Sequence, residues 1–195
     1  MLLATLQGKC IDTSMGVTPL EGLVMATRSG DIDPAICKIL ADLKGYSASK
    51  LDNMLNKESG LFGICGEKDM RRIVEGAENG DERSMLAFDV FVHRIRKYLG
   101  AYLVLLGGDV DAIVFSAGIG EHSAATRKSV CEGLRNFGIS IDDAKNLDGR
   151  KEAREIQSTE ASMKVLVIPT DEELCIAQQT MKVVEEMKVK MGQGA

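Results

Sequence analysis

The sequence predicts an α/β fold with a parallel sheet, and two segments in its second half carry that prediction. Residues 112–137 and 164–190 each show a buried strand, a short turn and an amphipathic helix. Strands that alternate with helices pair in parallel, because each helix carries the chain back across the sheet. The turns of both units should therefore open at the carboxyl edge of the sheet, where α/β proteins bind ligands.

Composition is typical of a soluble globular domain. The chain has 195 residues, 45% hydrophobic and 27% charged, which is enough to bury one substantial core. Its net charge of -5 and its few aromatic residues give no basis for a nucleic-acid partner or an anionic membrane surface. No apolar run is as long as a membrane span. We expect one domain, residues 1–195, without nucleic-acid or membrane partners.

The cysteines indicate a reducing environment. They are odd in number, widely spaced and form no Cys-x-x-Cys pair: Cys10, Cys37, Cys65, Cys131 and Cys175. This pattern fits neither a zinc site nor a disulfide framework. Free thiols persist in the cytosol, and the amino terminus lacks the basic region of a secretory signal. The sequence therefore predicts a cytoplasmic protein.

The first half is predicted to hold one hairpin followed by helices. Two short apolar runs flank Gln7-Gly8, which predicts strands at 2–6 and 9–12. Apolar residues at three- and four-residue spacing predict helices at 34–44, 48–56, 69–78 and 81–106. The glycine-punctuated segment 59–66 is expected to be a loop whose apolar side chains fill the core.

Segment 13–33 is rich in glycine, threonine and serine and contains Arg28. Thr18, Pro19 and Glu21 fit the cap, first-turn and capping-box positions of a short helix that ends near Arg28. Arg28 would then lie in a polar loop bracketed by glycines. Two interpretations stay open: a solvated loop arginine, or a fixed guanidinium that binds phosphate or carboxylate in a bidentate manner.

The second half begins with the apolar strand 112–115 and a glycine turn at 116–120. Ser123 is the predicted cap of a helix over 124–137. The remaining predictions are an edge strand at 139–141, a polar loop over 142–162 with at most a minor helix, a strand at 163–168, a helix at 172–190 and a disordered tail at 192–195. A glycine turn before a helix suits an anion or a nucleotide, but it is also an ordinary strand-to-helix connection.

Four long segments resemble the acetate kinase family: DTSMGVTPLEGLVMATRSGDIDPAI, LAFDVFVHRIRKYLGAY, DAIVFSAGIGEHSAATR and VLVIPTDEELCIA. They occur in order and with the expected spacing, and propionate kinase is close enough in pattern to stay possible. The resemblance implies an RNase H-like fold of the actin-like ATPase and sugar kinase superfamily, with a mixed sheet flanked by helices. It also implies phosphoryl transfer from ATP to acetate with Mg²⁺, the reverse reaction with ADP, and a homodimer.

The resemblance further implies roles for particular residues. Arg28 corresponds to the arginine that contacts the transferring phosphoryl group, and Glu172, or its neighbour Glu173, to the glutamate that helps hold Mg²⁺. The adenosine pocket would be lined by Asp69, Met70, Arg71, Gly118, Ile119, Gly120 and His122.

Two departures from the family pattern limit what is expected. His122 stands where the family usually has asparagine, which puts its contact with adenine in doubt. The chain begins with MLLATLQ where the family's phosphate-binding loop should be ending. We therefore expect the nucleotide-binding carboxyl-terminal half of an acetate kinase, without the amino-terminal domain and inactive alone. The alternative is a nucleotide-binding or dimerisation module without turnover.

Overall fold

The computed structural model describes residues 1–192, with side chains to residue 188. The strands are β1 (Leu3–Leu6), β2 (Lys9–Thr13), β3 (Ala112–Phe115), β4 (Arg154–Glu155) and β5 (Lys164–Val167). The helices are α1 (Ala35–Lys44), α2 (Ala48–Lys57), α3 (Gly60–Cys65), α4 (Met70–Glu78), α5 (Glu82–Leu105), α6 (Ala117–His122), α7 (Ala124–Cys131), α8 (Asp143–Leu147) and α9 (Glu172–Gly192).

The central sheet is mixed, as predicted. Its strand order is β3-β5-β4. β3 and β5 are parallel, with Ala112 opposite Lys164, and β4 is antiparallel to β5. The loops that follow β3 and β5 therefore leave the same edge of the sheet. β1 and β2 form a separate antiparallel pair.

Two hydrophobic clusters lie along α5. The first core joins α5 to the sheet and α7, and includes Val92, Leu99, Val130 and Val165. The second core joins α5 to α3, α4 and the segment before α1: Val24, Leu61, Met70, Ile73, Ala87 and Phe91. Because α5 contributes to both cores, this helix fixes the sheet and α7 relative to α3 and α4.

The predicted helix from Pro19 to Arg28 is wrong. The structure has bends and turns over this stretch. Gly22 adopts φ +98°, outside the helical region, and a Cβ there would lie 1.8 Å from the Ser14 carbonyl oxygen. Burial of Leu23 and Val24 and this close backbone approach outweigh the local capping signals.

Four further segments differ in part from the predicted secondary structure. Segment 59–66 contains the short helix α3, although its Leu61 is fully buried as expected. Gly133 at φ +70° ends the helix that was predicted to reach residue 137. Ile141 forms only an isolated bridge to Gln157 rather than an edge strand. The polar loop contains α8 and β4. The predicted tail lies outside the described residues beyond Gly192.

The described side chains of α9, residues 172–188, are all exposed. They include six large apolar side chains: Leu174, Ile176, Met181, Val183, Val184 and Met187. Among residues 1–192, no helix combines the length and the apolar character needed to cross a membrane.

Candidate nucleotide site

Arg28 lies in a loop whose two ends are tied together. The Asp31 amide donates to the Gly22 carbonyl at 3.0 Å, and the Gly22 amide donates to the Asp31 carboxylate at 2.8 Å. Within the loop, the Met25 amide donates to the Arg28 carbonyl at 3.1 Å. Residues 22–31, named the arginine loop below, therefore form a closed backbone unit.

The Arg28 guanidinium is half-buried and carries an uncompensated charge. Among residues 1–188, its one hydrogen-bond contact is the Met25 sulfur, 3.9 Å from Nη1, and no carboxylate in that range forms an ion pair with it. Arg28 lines an open hollow of about 500 Å³ together with Asp52, Asn56 and Lys57. A guanidinium in this setting can accept a phosphate or carboxylate ligand in a bidentate manner.

The start of α3 supports the arginine loop. The Leu61 amide donates to the Met25 carbonyl at 3.0 Å. Gly60 has φ +63°, and a Cβ there would lie 2.2 Å from the Met25 oxygen and 2.6 Å from the Arg28 oxygen. Only glycine lets α3 approach the loop this closely.

Asp31 also fastens the arginine loop to α5. The Tyr98 hydroxyl donates to Asp31 Oδ2 at 2.9 Å, and Arg94 Nη1 lies 3.3 Å from the same oxygen. Arg94 Nη2 donates to the Asp31 carbonyl at 2.8 Å. Both partners come from one face of α5.

Tyr98 predicts how stability changes at alkaline pH. Burial raises its pKa from 10.0 to about 12, with further contributions from Asp31, Tyr102 and Glu21. The folded chain holds this proton more tightly than the unfolded chain. The stability that Tyr98 contributes is therefore complete below pH ~10 and is lost as pH rises toward ~12. We expect the difference in unfolding free energy between the native chain and Tyr98→Phe to shrink over that range in urea titrations. A constant difference would contradict this prediction.

Asp69 caps α4 and binds the side chain of Arg71. Asp69 Oδ1 accepts from the Arg71 amide and from Arg71 Nε, both at 3.0 Å. The side-chain hydrogen bond from Arg71, and then its amide, lower the pKa of Asp69 to about 2. Arg71 is exposed. The two charged residues predicted for the adenosine pocket therefore lie together at the start of α4.

The second core brings three predicted site segments together. Met70 is 5% exposed and packs there beside Val24 of the arginine loop. Ile119 of α6 packs against the same cluster. The arginine loop, the start of α4 and α6 thus each contribute a side chain to one apolar cluster, whereas the Arg28 side chain itself lines the open hollow beside α2. Within residues 69–71, the Met70 side chain faces the core rather than solvent.

The predicted glycine turn is the middle of the short helix α6. It starts at Ala117, which has φ +57°. A Cβ on Gly120 would lie 3.3 Å from the Phe115 carbonyl carbon, so the helix runs close against the end of β3. The predicted cap of the next helix is confirmed, because the Ser123 hydroxyl accepts from the Thr126 amide at 3.2 Å.

A polar network joins the ends of β3 and β5. Thr170 Oγ1 accepts from the Ala117 amide at 3.0 Å and contacts the Ser116 hydroxyl at 2.9 Å. Glu121 Oε1 accepts from the Thr170 amide at 2.9 Å. Desolvation opposes ionisation of Glu121, but the hydrogen bonds from Thr170 outweigh it, so the pKa of Glu121 is lowered. This network fixes α6 relative to the start of α9.

Arg127 is a buried cation that holds α6 from its other end. Its side chain is 2% exposed and donates to the Gly120 and Glu121 carbonyls at 2.9 and 2.8 Å. It also donates to the side-chain and backbone oxygens of Asn146 at 2.8 and 2.7 Å. These acceptors are neutral carbonyls near the carboxyl ends of two helices, α6 and α8, positions that favour a positive charge.

Glu172 is the first residue of α9 and is exposed. Asp171 caps this helix, accepting from the Leu174 amide at 3.0 Å. Glu172 itself makes no hydrogen bond or ion pair with residues 1–188. Within that same range, no three His, Cys, Asp or Glu side chains lie close enough to hold a metal ion.

His122 ends α6 and is exposed. It lines a cavity of about 420 Å³ whose wall also includes Arg127, Arg150, Lys151 and Arg154. The His122 side chain therefore lies on the side of α6 that faces the loop after α8.

Sequence reasoning missed the partners of Asp31 and the burial of Arg127. The Ala35 amide at the start of α1 donates to Asp33 at 2.9 Å, whereas the Asp31 carboxylate binds Gly22, Arg94 and Tyr98. Their partners are distant in sequence, so no local pattern could identify them.

Comparisons with known proteins identify the family of this chain. The sequence profile of the acetokinase family matches residues 2–178. Acetate kinase from Sulfurovum sp. is 52% identical over 182 residues, covering 93% of this chain and 46% of the relative. Acetate kinase from Syntrophobacter fumaroxidans is 51% identical, covering 95% of this chain and 45% of the relative.

Solved structures give the same result for the fold. Porphyromonas gingivalis acetate kinase superposes with a TM-score of 0.85 at 42% identity, covering 91% of this chain and 44% of that one. A propionate kinase from Francisella tularensis gives 0.84 at 47% identity, covering 90% and 44%. The predicted fold is confirmed, and the chain spans less than half the length of these relatives. The chain belongs to the acetokinase family.

Proposed function

We propose that this chain forms the nucleotide-binding side of an acetate kinase, which transfers a phosphoryl group reversibly between ATP and acetate. The observation that carries the proposal is the second core, to which the arginine loop, the start of α4 and α6 contribute Val24, Met70 and Ile119. The 52% identity to an acetate kinase supports the same reaction.

The proposed roles follow from the chemistry of each segment. Arg28 has a free guanidinium that would stabilise negative charge on the equatorial oxygens of the transferring phosphoryl group. Arg71 and Asp69 would contact the nucleoside from α4. Gly118 leaves open space beside α6, so that the nucleoside can lie close to its backbone, and Gly120 lets α6 run close against the end of β3. Ile119 supports that surface from the core.

Mg²⁺ would be held mainly by the nucleotide phosphates and water. Glu172 is an exposed carboxylate between two others, Asp171 and Glu173, and Mg²⁺ keeps several waters and needs few protein ligands. The donor set therefore fits a water-mediated contact to Glu172. When bound, Mg²⁺ would neutralise charge on the phosphates.

His122 is proposed as a weaker contact to the nucleoside. Its exposed imidazole can exchange one hydrogen bond with a base, where the amide of asparagine could exchange two. The cytoplasm as location, a homodimer as assembly, and acetate rather than propionate as substrate are part of the same proposal. The Francisella tularensis relative is named a propionate kinase, so both acids belong in the assays.

Activity is tested by joining this chain to the half of the Sulfurovum sp. acetate kinase that it does not match. The product is called the joined enzyme below. We expect the joined enzyme to form acetyl phosphate in a hydroxamate assay, and the 195-residue chain alone to form none at enzymatic rates. An inactive joined enzyme would refute the proposed reaction. Turnover by the chain alone would refute the need for the second half.

Nucleotide binding is tested on the chain itself. We expect calorimetry to detect weak ADP binding, because the adenosine-facing segments are assembled within this chain. Arg71→Ala should weaken it, while Arg72→Ala is the matched control, since Arg72 is the neighbouring exposed arginine and pairs with Glu67. No binding, or equal loss in both variants, would contradict the proposed pocket. ADP binding without turnover in the joined enzyme would favour a non-catalytic binding module.

A further inference from the structure

We propose that Asp31, Arg94 and Tyr98 form a positioning cluster that fixes the Arg28 guanidinium for phosphoryl transfer. The proposal rests on the function proposed above, because it assigns these residues a role through Arg28. None of the three contacts the open hollow that Arg28 lines.

Asp31 is the residue at which the closure of the arginine loop and its attachment to α5 meet. Its carboxylate accepts from Gly22 across the base of the arginine loop, and from Arg94 and Tyr98 on α5. Its backbone takes part as well, since the amide donates to Gly22 and the carbonyl accepts from Arg94. Removing one of these partners therefore loosens both the closure of the loop and its attachment to the helix.

Arg28 needs this support because its own side chain makes few contacts that would fix it. Its one hydrogen-bond contact is a thioether, which is a weak acceptor. A long side chain without partners has many rotamers. Its backbone must therefore be held in a fixed position if its charge is to be preorganised for the reaction. The backbone of the arginine loop supplies that fixed position.

The cluster also sets the distance between Arg28 and the nucleoside segments. Arg94 and Tyr98 lie on α5, the 24-residue helix that also contributes Ala87 and Phe91 to the second core. Met70 and Ile119 pack against that core. The helix α5 thus contacts the arginine loop through Arg94 and Tyr98, and the second core through Ala87 and Phe91. If the arginine loop loosens, the Arg28 guanidinium is no longer held at a fixed distance from a nucleotide bound beside that core.

Tyr102 gives a matched control. It lies one turn after Tyr98 on α5, with ring centroids 5.9 Å apart. Its buried hydroxyl has no hydrogen-bond partner among the described residues. Tyr98→Phe and Tyr102→Phe therefore make the same chemical change on the same helix, but only the first removes a bond to Asp31.

The first measurement uses trypsin on the 195-residue chain. Trypsin cuts after arginine where the backbone opens locally. We expect the fragment ending at Arg28 to form about tenfold faster in Tyr98→Phe, because a hydrogen bond to a charged group is lost. Tyr102→Phe should stay within about twofold of the native rate. Cleavage after the exposed Arg150 serves as the internal reference. A native rate at Arg28 in Tyr98→Phe would overturn the proposal.

The second measurement uses the joined enzyme and separates kcat from KM. We expect Tyr98→Phe to lower kcat about tenfold while KM for ATP stays within about twofold, and Tyr102→Phe to change neither. Asp31→Asn, which removes the charge facing Arg94, should give the same split. Unchanged kcat in Tyr98→Phe and Asp31→Asn, or equal losses in the two tyrosine variants, would overturn the positioning role. A native joined enzyme without activity would instead overturn the proposed function, and the trypsin comparison would still decide whether the cluster holds the loop.

Discussion

Arg28→Ala in the joined enzyme is expected to lower kcat about a thousandfold while KM for ATP changes little. An arginine directed at the transferring phosphoryl group acts mainly in the transition state, when charge is spread over the equatorial oxygens, and such arginines contribute about 10³-fold or more. The free guanidinium at the edge of the open hollow provides the structural basis. Steady-state hydroxamate kinetics with varied ATP measure both constants.

Lys57→Ala is the matched control for Arg28→Ala. Lys57 is an exposed cation that lines the same hollow, so its removal changes the local charge equally but removes no group from the arginine loop. We expect a loss of kcat below about tenfold for this variant. A large loss of ATP affinity in Arg28→Ala with normal turnover would contradict the assigned role. Equal losses of kcat in the two variants would show that Arg28 acts only through the overall positive charge of the hollow.

Arg127→Ala is expected to lower the free energy of unfolding by about 3–5 kcal/mol. Its guanidinium satisfies the carbonyls of Gly120 and Glu121 and two oxygens of Asn146. Truncation leaves these buried acceptors without donors and leaves a cavity beside α6. Urea or guanidinium denaturation followed by circular dichroism measures the loss.

Arg150→Ala is the control for this stability prediction. Arg150 is exposed and pairs with Asp148 two residues away, and surface ion pairs contribute at most about 1 kcal/mol. The contrast between the two variants therefore depends on burial rather than on charge. A loss below about 1 kcal/mol for Arg127→Ala would show that Asn146 and the helix end relax without their donor.

Elements with local signals could be predicted from the sequence. Ser47, Asp69, Asp81 and Ser123 cap helices that start where the apolar spacing places them. The parallel pairing of β3 with β5 follows from two strand–turn–helix units. The family resemblance selected Arg28 and the segments at α4 and α6; Val24 of the arginine loop, Met70 and Ile119 contact one core, and the roles of the site residues stay predictions.

The restraints around the site could not be predicted, because their partners are distant in sequence. Tyr98 and Asp31 are 67 positions apart, and Arg94 and Asp31 are 63 apart. The wrong helix prediction at Pro19 has the same origin. Its capping signals are local, whereas burial of Val24 and the tie between Gly22 and Asp31 arise only when the chain is packed.

The position of α5 between the two cores has a consequence for how the chain unfolds. Phe88 and Ile95 pack against both clusters at once, so neither cluster can lose its order without exposing side chains of the other. Unfolding of the whole second core that leaves the sheet intact is therefore costly. Denaturation of the two clusters becomes a single cooperative event.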